Sequence, residues 1–290
     1  MFLNTSYALE MIPKVIHYCW FGGNALSKKE MNCINSWKKF CPHYEIKRWD
    51  ETNFDLYSNT YCREAYERKM WAFVSDYARF KILYDYGGVY FDTDVELIKP
   101  IDDIVERGAF FGVEKTSNSI GNKAINPGLG MGVERHNMFC QEVLDYFANI
   151  SFVDSDGKNN IKTIVETVTE IFLKHGFAVS TNGKIQEIDG TFIYPDDYFA
   201  PMDYRTGIVT ITNNTKSVHH YAGTWLTEGE ISIKNMQYKF AKIFGEKQGL
   251  VIGNIYSILA RCYNRLKDDG LIYTFRYYLK RLCRKKNGTY

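Results

Sequence analysis

Residues 12–21, Ile-Pro-Lys-Val-Ile-His-Tyr-Cys-Trp-Phe, are dense in β-branched and aromatic side chains and stop at Gly22-Gly23. That pattern predicts a strand. Ser27-x-x-Glu30 has the form of a capping box and predicts a helix to about residue 40. A second strand is expected over 44–49. A strand, helix, strand order predicts a parallel α/β unit, in which ligands sit at the carboxyl ends of the strands. A polar helix is expected over 61–69. Phe73, Tyr77, Phe80 and Tyr84 then recur at helical spacing and predict one apolar stripe. Gly87-Gly88 ends that helix, and Val89-Tyr90-Phe91 follows as a short buried strand.

Further along, a strand is expected over 109–113. The Ser-, Asn- and Gly-rich stretch 116–130 is expected to be a loop that closes over a ligand. Helices are predicted over 138–147 and 161–175, the second with Ile161, Ile164, Val168, Ile171 and Phe172 on one side. Between them 151–160 is expected as a surface loop. Strands are expected over 192–194, 208–212 and 218–221. Past about residue 230 the pattern turns helical, over 252–266 and 271–284.

The chain has 290 residues, with 36 basic against 34 acidic side chains and 45% hydrophobic residues. This suits one catalytic-sized domain, residues 1–229, and a helical appendage, residues 230–290. The near-neutral balance argues against a nucleic-acid binder. Seven cysteines without a C-x-x-C pair argue against a zinc site or a disulfide framework, so a reducing, cytoplasmic location is expected. The first ten residues lack a signal-peptide pattern, and no apolar run reaches the roughly 18–20 residues that span a bilayer. Lys280-Arg-Leu-Cys-Arg-Lys-Lys286 is strongly cationic. Peripheral contact with an anionic inner membrane face is one reading of it, and a solvated tail helix is the other.

The candidate chemistry centres on Asp92-Thr93-Asp94, directly after the apolar strand. On an extended backbone both carboxylates would point the same way. Aimed carboxylates of this kind suit Mg²⁺ or Mn²⁺, ions that also hold substrate phosphates. Asp76 and Arg79 are three apart on the preceding helix and share a face, as a functional pair or as an ordinary helix ion pair. An apolar strand followed by Asp-x-Asp also occurs in haloacid-dehalogenase-type phosphatases, where Asp92 would be the nucleophile.

Taken together, Ser75-Asp76-x-x-Arg79, Gly87-Gly88-Val-Tyr90 and Phe91-Asp92-Thr-Asp94 resemble the sugar-binding region of glycosyltransferase family 32. That family's relatives include yeast-type mannosyltransferases, bacterial capsule enzymes and, more distantly, clostridial toxin glucosyltransferase domains. Ile16-His-Tyr-Cys-Trp20-x-Gly-Gly23 is similar to the family's first strand, and His219-His-Tyr-Ala-Gly-Thr-Trp225 to its C-terminal catalytic segment.

The resemblance implies an α/β fold of GT-A type, a Rossmann-like nucleotide-sugar-binding domain with a mixed central sheet. It implies a retaining, metal-dependent hexosyl transfer, with Mn²⁺ or Mg²⁺ as cofactor. The donor would be a UDP-linked hexose. The acceptor would be a saccharide, lipid-linked, in bacterial surface polysaccharide synthesis.

By the same resemblance Trp20 stacks on the base, with Cys19 backbone groups at its edge. Tyr90 lines the donor pocket and Trp225 donates to the diphosphate. Asp76, Arg79 and Asp92 form the catalytic set, and Asp92, Asp94 and His220 hold the metal, with His219 on the opposite face of its strand. For Trp20 the bland alternative is a core aromatic. No carboxylate presents itself as a nucleophile for double displacement, which favours same-face attack with the departing phosphate oxygen as base. A glycan-binding module that needs metal but no nucleotide is the non-enzymatic alternative.

Overall fold

The computed structural model describes residues 11–118, 121–180, 183–223 and 226–286. The expected capping box forms. The Ser27 hydroxyl accepts from the Lys29 amide, and the Ser27 amide donates to Glu30 Oε2 at 2.7 Å. These bonds start α1 (Lys28–Phe40) between β1 (Val15–Cys19) and β2 (Glu45–Trp49). The two strands pair in parallel, from Val15 opposite Glu45 to Cys19 opposite Trp49. Helices α2 (Thr60–Glu67) and α3 (Trp71–Tyr86) lead to β3 (Gly88–Tyr90), which lies parallel to β1 on its other side.

Next come β4 (Val95–Leu97), α4 (Asp102–Val105), β5 (Phe110–Asn118), β6 (Gly121–Ile125) and β7 (Met131–Val133). They are followed by α5 (Met138–Ala148), α6 (Ile164–Lys174), β8 (Gln186–Ile188), β9 (Thr191–Tyr194), α7 (Asp196–Phe199) and β10 (Ser217–His219). Among the described residues the main sheet runs β2-β1-β3-β7-β5-β9-β8, with β6 paired to β5. Its β2-β1-β3 part is parallel, whereas β7 runs antiparallel to β3 and to β5. The sheet is therefore mixed, as expected. A separate two-stranded sheet pairs β10 with β4.

Strand residues alternate between two cores, as the pleat requires. Val89 and Phe91 face a core with Ile34 and Trp37 of α1, Ile104 of α4 and Phe199 of α7. Tyr90 between them faces the other core, with α2, α3, α5 and α6. The result is helices on both faces of one sheet. α3 departs from the single stripe read in the sequence. Val74, Tyr77, Ala78, Arg79, Phe80, Ile82 and Leu83 are all buried, so the helix is enclosed around most of its circumference.

Gly88 sets the junction of α3 and β3. Its φ is +103°, and a Cβ there would lie 2.8 Å from the Val15 carbonyl oxygen and 3.0 Å from the His17 ring. That ring is buried and locked. Its Nδ1 accepts from Trp49 Nε1 at 3.0 Å, so Nε2–H donates to the Gly87 carbonyl, also at 3.0 Å.

Three expectations change. The stretch 116–130 is largely the β5–β6 hairpin and not an open loop. Residues 208–212 form only an isolated bridge, Met202 to Val209. Ile161 precedes the Thr163/Glu166 capping box of α6 and is exposed, so it does not join the helix's apolar face.

The chain divides into two compact units, residues 1–202 with 209–225, and residues 203–208 with 226–290. The second unit consists chiefly of α8 (Glu228–Phe244) and α9 (Glu246–Lys286), the latter interrupted at Gly270, where φ is 77°. Among the described residues no helix is long and apolar enough to cross a membrane.

Candidate active site

The site grows from the carboxyl ends of β1 and β3. The Phe91 amide donates to the His17 carbonyl at 3.2 Å, and the Asp92 amide to the Gly128 carbonyl at 3.0 Å. The chain then turns, with the Val95 amide donating to the Asp92 carbonyl at 3.1 Å. The aspartates of the Asp-x-Asp therefore converge across a turn, not along the extended backbone inferred from the sequence. Gly128 makes room for this. A Cβ on it would collide with the Asp92 carboxylate.

Arg79 is the buried hub. Its Nη2 lies 2.9 Å from Asp76 Oδ1 and 3.3 Å from Asp92 Oδ1, while Nε donates to the Ser75 carbonyl at 3.1 Å. The guanidinium sits 4.9 Å from the centre of the Tyr90 ring, and the Tyr90 hydroxyl donates to Asp92 Oδ1 at 3.2 Å. One cation thus fixes two carboxylates, a geometry that a flexible ammonium would not impose. Burial pushes the Asp76 carboxyl up to about 7, against the pull of Arg79. Cys19 lies against Arg79 and Tyr90, and burial pushes its thiol up to about 12. Cys19, Asp76, Arg79, Tyr90 and Asp92 thus stand together.

Asp94 is held from the far side of the sequence. Strand β10 pairs antiparallel with β4, with His219 opposite Val95. His219 is buried, and its Nε2 lies 3.0 Å from Asp94 Oδ1. Tyr221 has φ of +47°, and just beyond it the Ala222 amide donates to Asp94 Oδ2 at 2.6 Å. Burial would raise the Asp94 pKa, but His219 and the Ala222 amide outweigh it and hold the carboxyl down at about 2. Burial alone would lower the His219 pKa, yet Asp94 raises it.

The metal-ligand expectation for His220 is corrected. Its ring turns outward and pairs with Glu96 at 2.8 Å, half exposed. Asp92, Asp94 and His219 form the group able to hold a cation, each offering an atom within 4.8 Å of the others. The pairing with β4 decides which histidine faces in, and successive strand residues alternate.

A second layer was missed in the sequence. Half-buried Glu114 on β5 accepts from Asn126 Nδ2 at 2.9 Å and from the Tyr221 hydroxyl at 3.1 Å. Asn126 Oδ1 accepts from the Gly128 amide at 2.7 Å, and the Tyr221 ring centre lies 4.2 Å from that of His219. These contacts form a belt from the backbone behind Asp92 to the imidazole beside Asp94. Burial raises the Glu114 pKa, with Asn126 opposing. The available signal is Asn126-Pro-Gly128, within the stretch expected to be a loop.

Trp20 stands half-buried where β1 ends, with its Nε1 donating to the Asn24 carbonyl at 2.7 Å. It shares the sheet end with Asp92. Trp225 lies outside the described residues.

Residues 27–111 match a family model described as a glycosyltransferase sugar-binding region containing a DXD motif. Over this span the chain resembles the DXD-containing glycosyltransferases. The span matched by this glycosyltransferase family carries Asp76, Arg79, Tyr90, Asp92 and Asp94, while Cys19 and His219 reach the cluster through folding.

An uncharacterized glycosyltransferase of Acanthamoeba polyphaga mimivirus is 27% identical over 198 residues, 64% of this chain and 74% of that protein. Inositol phosphoceramide mannosyltransferase 1 of Schizosaccharomyces pombe is 32% identical over 113 residues, 35% of this chain and 34% of the yeast protein. The chain thus spans about a third of the yeast relative's length. A solved glycosyltransferase involved in glycosylation of the major capsid of PBCV-1 aligns over 77% of this chain and all of its own, at 12% identity and a TM-score of 0.42. That likeness is too low to bear on the fold, which rests on the strand order above.

Proposed function

We propose that this glycosyltransferase moves a hexose from a UDP-linked donor to a saccharide acceptor, with retention of anomeric configuration and with Mn²⁺ or Mg²⁺ bound. The observation that carries this reading is the convergence of Asp92, Asp94 and His219 beside the Arg79 cluster. The donor set fits a divalent ion of the Mn²⁺ type, with two carboxylates and one imidazole. His219 Nδ1 supports the fit. It is the one buried side-chain N or O among the described residues without a hydrogen-bond partner. Asp92, Asp94 and His219 would hold the ion, which supplies positive charge for a diphosphate leaving group.

The chain's own residues do the rest in this reading. Arg79 fixes Asp76 and Asp92, Asp76 grips donor sugar hydroxyls, and Tyr90 holds Asp92 in line. Trp20 stacks on the base, Cys19 offers backbone groups to its edge, and Trp225 donates to the diphosphate. The acceptor hydroxyl attacks from the face that the diphosphate leaves, and a departing phosphate oxygen takes its proton. A lipid-linked acceptor in bacterial surface polysaccharide synthesis, at a cytoplasmic location, is proposed from the sequence resemblance to capsule enzymes.

The test is a panel of UDP- and GDP-sugars, incubated with Mn²⁺, with Mg²⁺ or with chelator, reading released nucleotide and the anomer formed. Hydrolysis of one UDP-hexose that needs metal and keeps its anomeric configuration is the expected result. Phosphate release from simple monoesters that depends on Asp92, with no nucleotide sugar consumed, would overturn the reading in favour of a phosphatase. Glycan binding without turnover of any donor would point instead to a binding module.

A further inference from the structure

Helix α9 carries two apolar faces, and among the described residues only one is covered. Gly249, Gly253 and Ser257 lie on the buried face. Gly249 approaches α8 so closely that a Cβ would collide with the backbone of Ala241, and a Cβ on Gly253 would lie 3.1 Å from the Gln237 side chain. Small residues at helical spacing thus seat α9 on α8.

On the opposite side Val251, Ile255, Ile258 and Leu259 are between 54% and 64% exposed, and Leu266 continues the line. At 100° per residue these five fall within an arc of ~100°. Lys247, Arg261 and Arg265 border that arc along one edge. Isolated exposed apolar residues are ordinary, but a continuous stripe of this kind marks a contact surface.

The charge of the helix says what the contact is. Ten of the chain's 36 basic side chains lie in α9, against three of its 34 acidic ones, and four of the ten, Lys247, Arg261, Arg265 and Lys267, precede the break at Gly270. The remainder of the chain is therefore net acidic. A second copy packed through the same face would set the Lys247, Arg261 and Arg265 edge against another cationic edge, which is unfavourable. An anionic bilayer complements them, and its interface takes up an apolar helix face lying in its plane. We propose that the Val251–Leu266 face of α9 docks this protein on an anionic membrane surface. The helix lies in the interface without crossing it, and the docking does not depend on the donor chemistry above.

The test is flotation of the full chain with phosphatidylcholine vesicles, with and without phosphatidylglycerol. Binding is expected only with the anionic lipid, weakening as salt rises. The triple variant Ile255→Glu, Ile258→Glu, Leu259→Glu should bind more than about tenfold more weakly, with its helical circular dichroism unchanged. Lys247→Glu with Arg261→Glu leaves the apolar face intact and serves if the triple variant misfolds. It too should lose anionic binding. Equal binding to neutral vesicles, or no binding to either, overturns the proposal. So does a concentration-dependent dimer in light scattering that the triple variant dissolves, since the stripe would then be a subunit seam.

Discussion

Two adjacent histidines have opposite fates, and the difference is measurable. His219 points at Asp94, whereas His220 pairs with Glu96 near solvent. His219→Ala should weaken Mn²⁺ binding at least tenfold, read by quenching or calorimetry. His220→Ala should change it little, because a half-exposed pair is worth about 0–1 kcal/mol. Gly128→Ala is a sharper probe, since its new methyl takes the space of the Asp92 carboxylate. We expect a folded protein that has lost metal affinity, checked by circular dichroism beside the titration.

His175 tests electrostatics away from the site. Its Nδ1 bonds Asp189 at 2.7 Å and its Nε2 bonds Glu142 at 2.8 Å. The Asp189 hydrogen bond, with help from Glu142, raises its pKa above the usual 6.5. A raised histidine stabilises the fold fully below its unfolded pKa, and that gain fades as pH rises through the folded value. The gap in melting temperature between wild type and His175→Gln should therefore be widest below pH about 6.5 and narrow above it. A gap that stays constant with pH would refute the pairing.

At the scale of elements, local signals and distant pairing separate cleanly. The Ser27 capping box and the α3 helix are legible because each is fixed by neighbours in sequence, and the β1–β2 parallel pair because a strand, helix, strand order allows it. The Arg79–Asp76 pair was readable for the same reason, at helical spacing. Strands β4 and β10 were not readable as a pair. Each has three residues, and what makes them strands is each other. Without that pairing nothing distinguishes His219 from His220.

Residues 116–130 carry the Ser, Asn and Gly bias of a loop, but pairing of β5 with β6 overrides it. Glu114 escapes sequence reading too, because its partners lie 12 and 107 positions away. Glu114→Ala would remove the acceptor that the Asn126 amide and the Tyr221 hydroxyl share. A loss of about 1–3 kcal/mol is expected in denaturant unfolding. Reduced metal affinity should accompany it, because Tyr221 lies against His219. Unchanged metal binding in a destabilised variant would limit Glu114 to a structural role.

For the molecule as a whole, the two cores and the mixed sheet follow from alternating strand residues, each sorted to a helical layer. A ligand that binds only this folded arrangement must raise its stability. At a hundred times its dissociation constant, a UDP–Mn²⁺ complex should add about 2.7 kcal/mol, which is roughly 5–10 °C in melting temperature for a domain of this size. UDP alone should shift it far less, and a scan with each component separately checks that dependence. Charge divides unevenly along the sequence, net acidic outside α9 and cationic within it, so retention on ion-exchange media should not follow the near-zero total alone.

The span between Asp94 and its partners has a consequence for biosynthesis. Ala222, whose amide caps the Asp94 carboxylate, lies 128 positions downstream. On the ribosome the two aspartates emerge long before the strand that carries their imidazole. A nascent chain paused in between has carboxylates without the third donor, and burying them at that stage would be costly. The grouping of Asp92, Asp94 and His219 is thus completed late, only once the returning strand has been made and zipped to its mate.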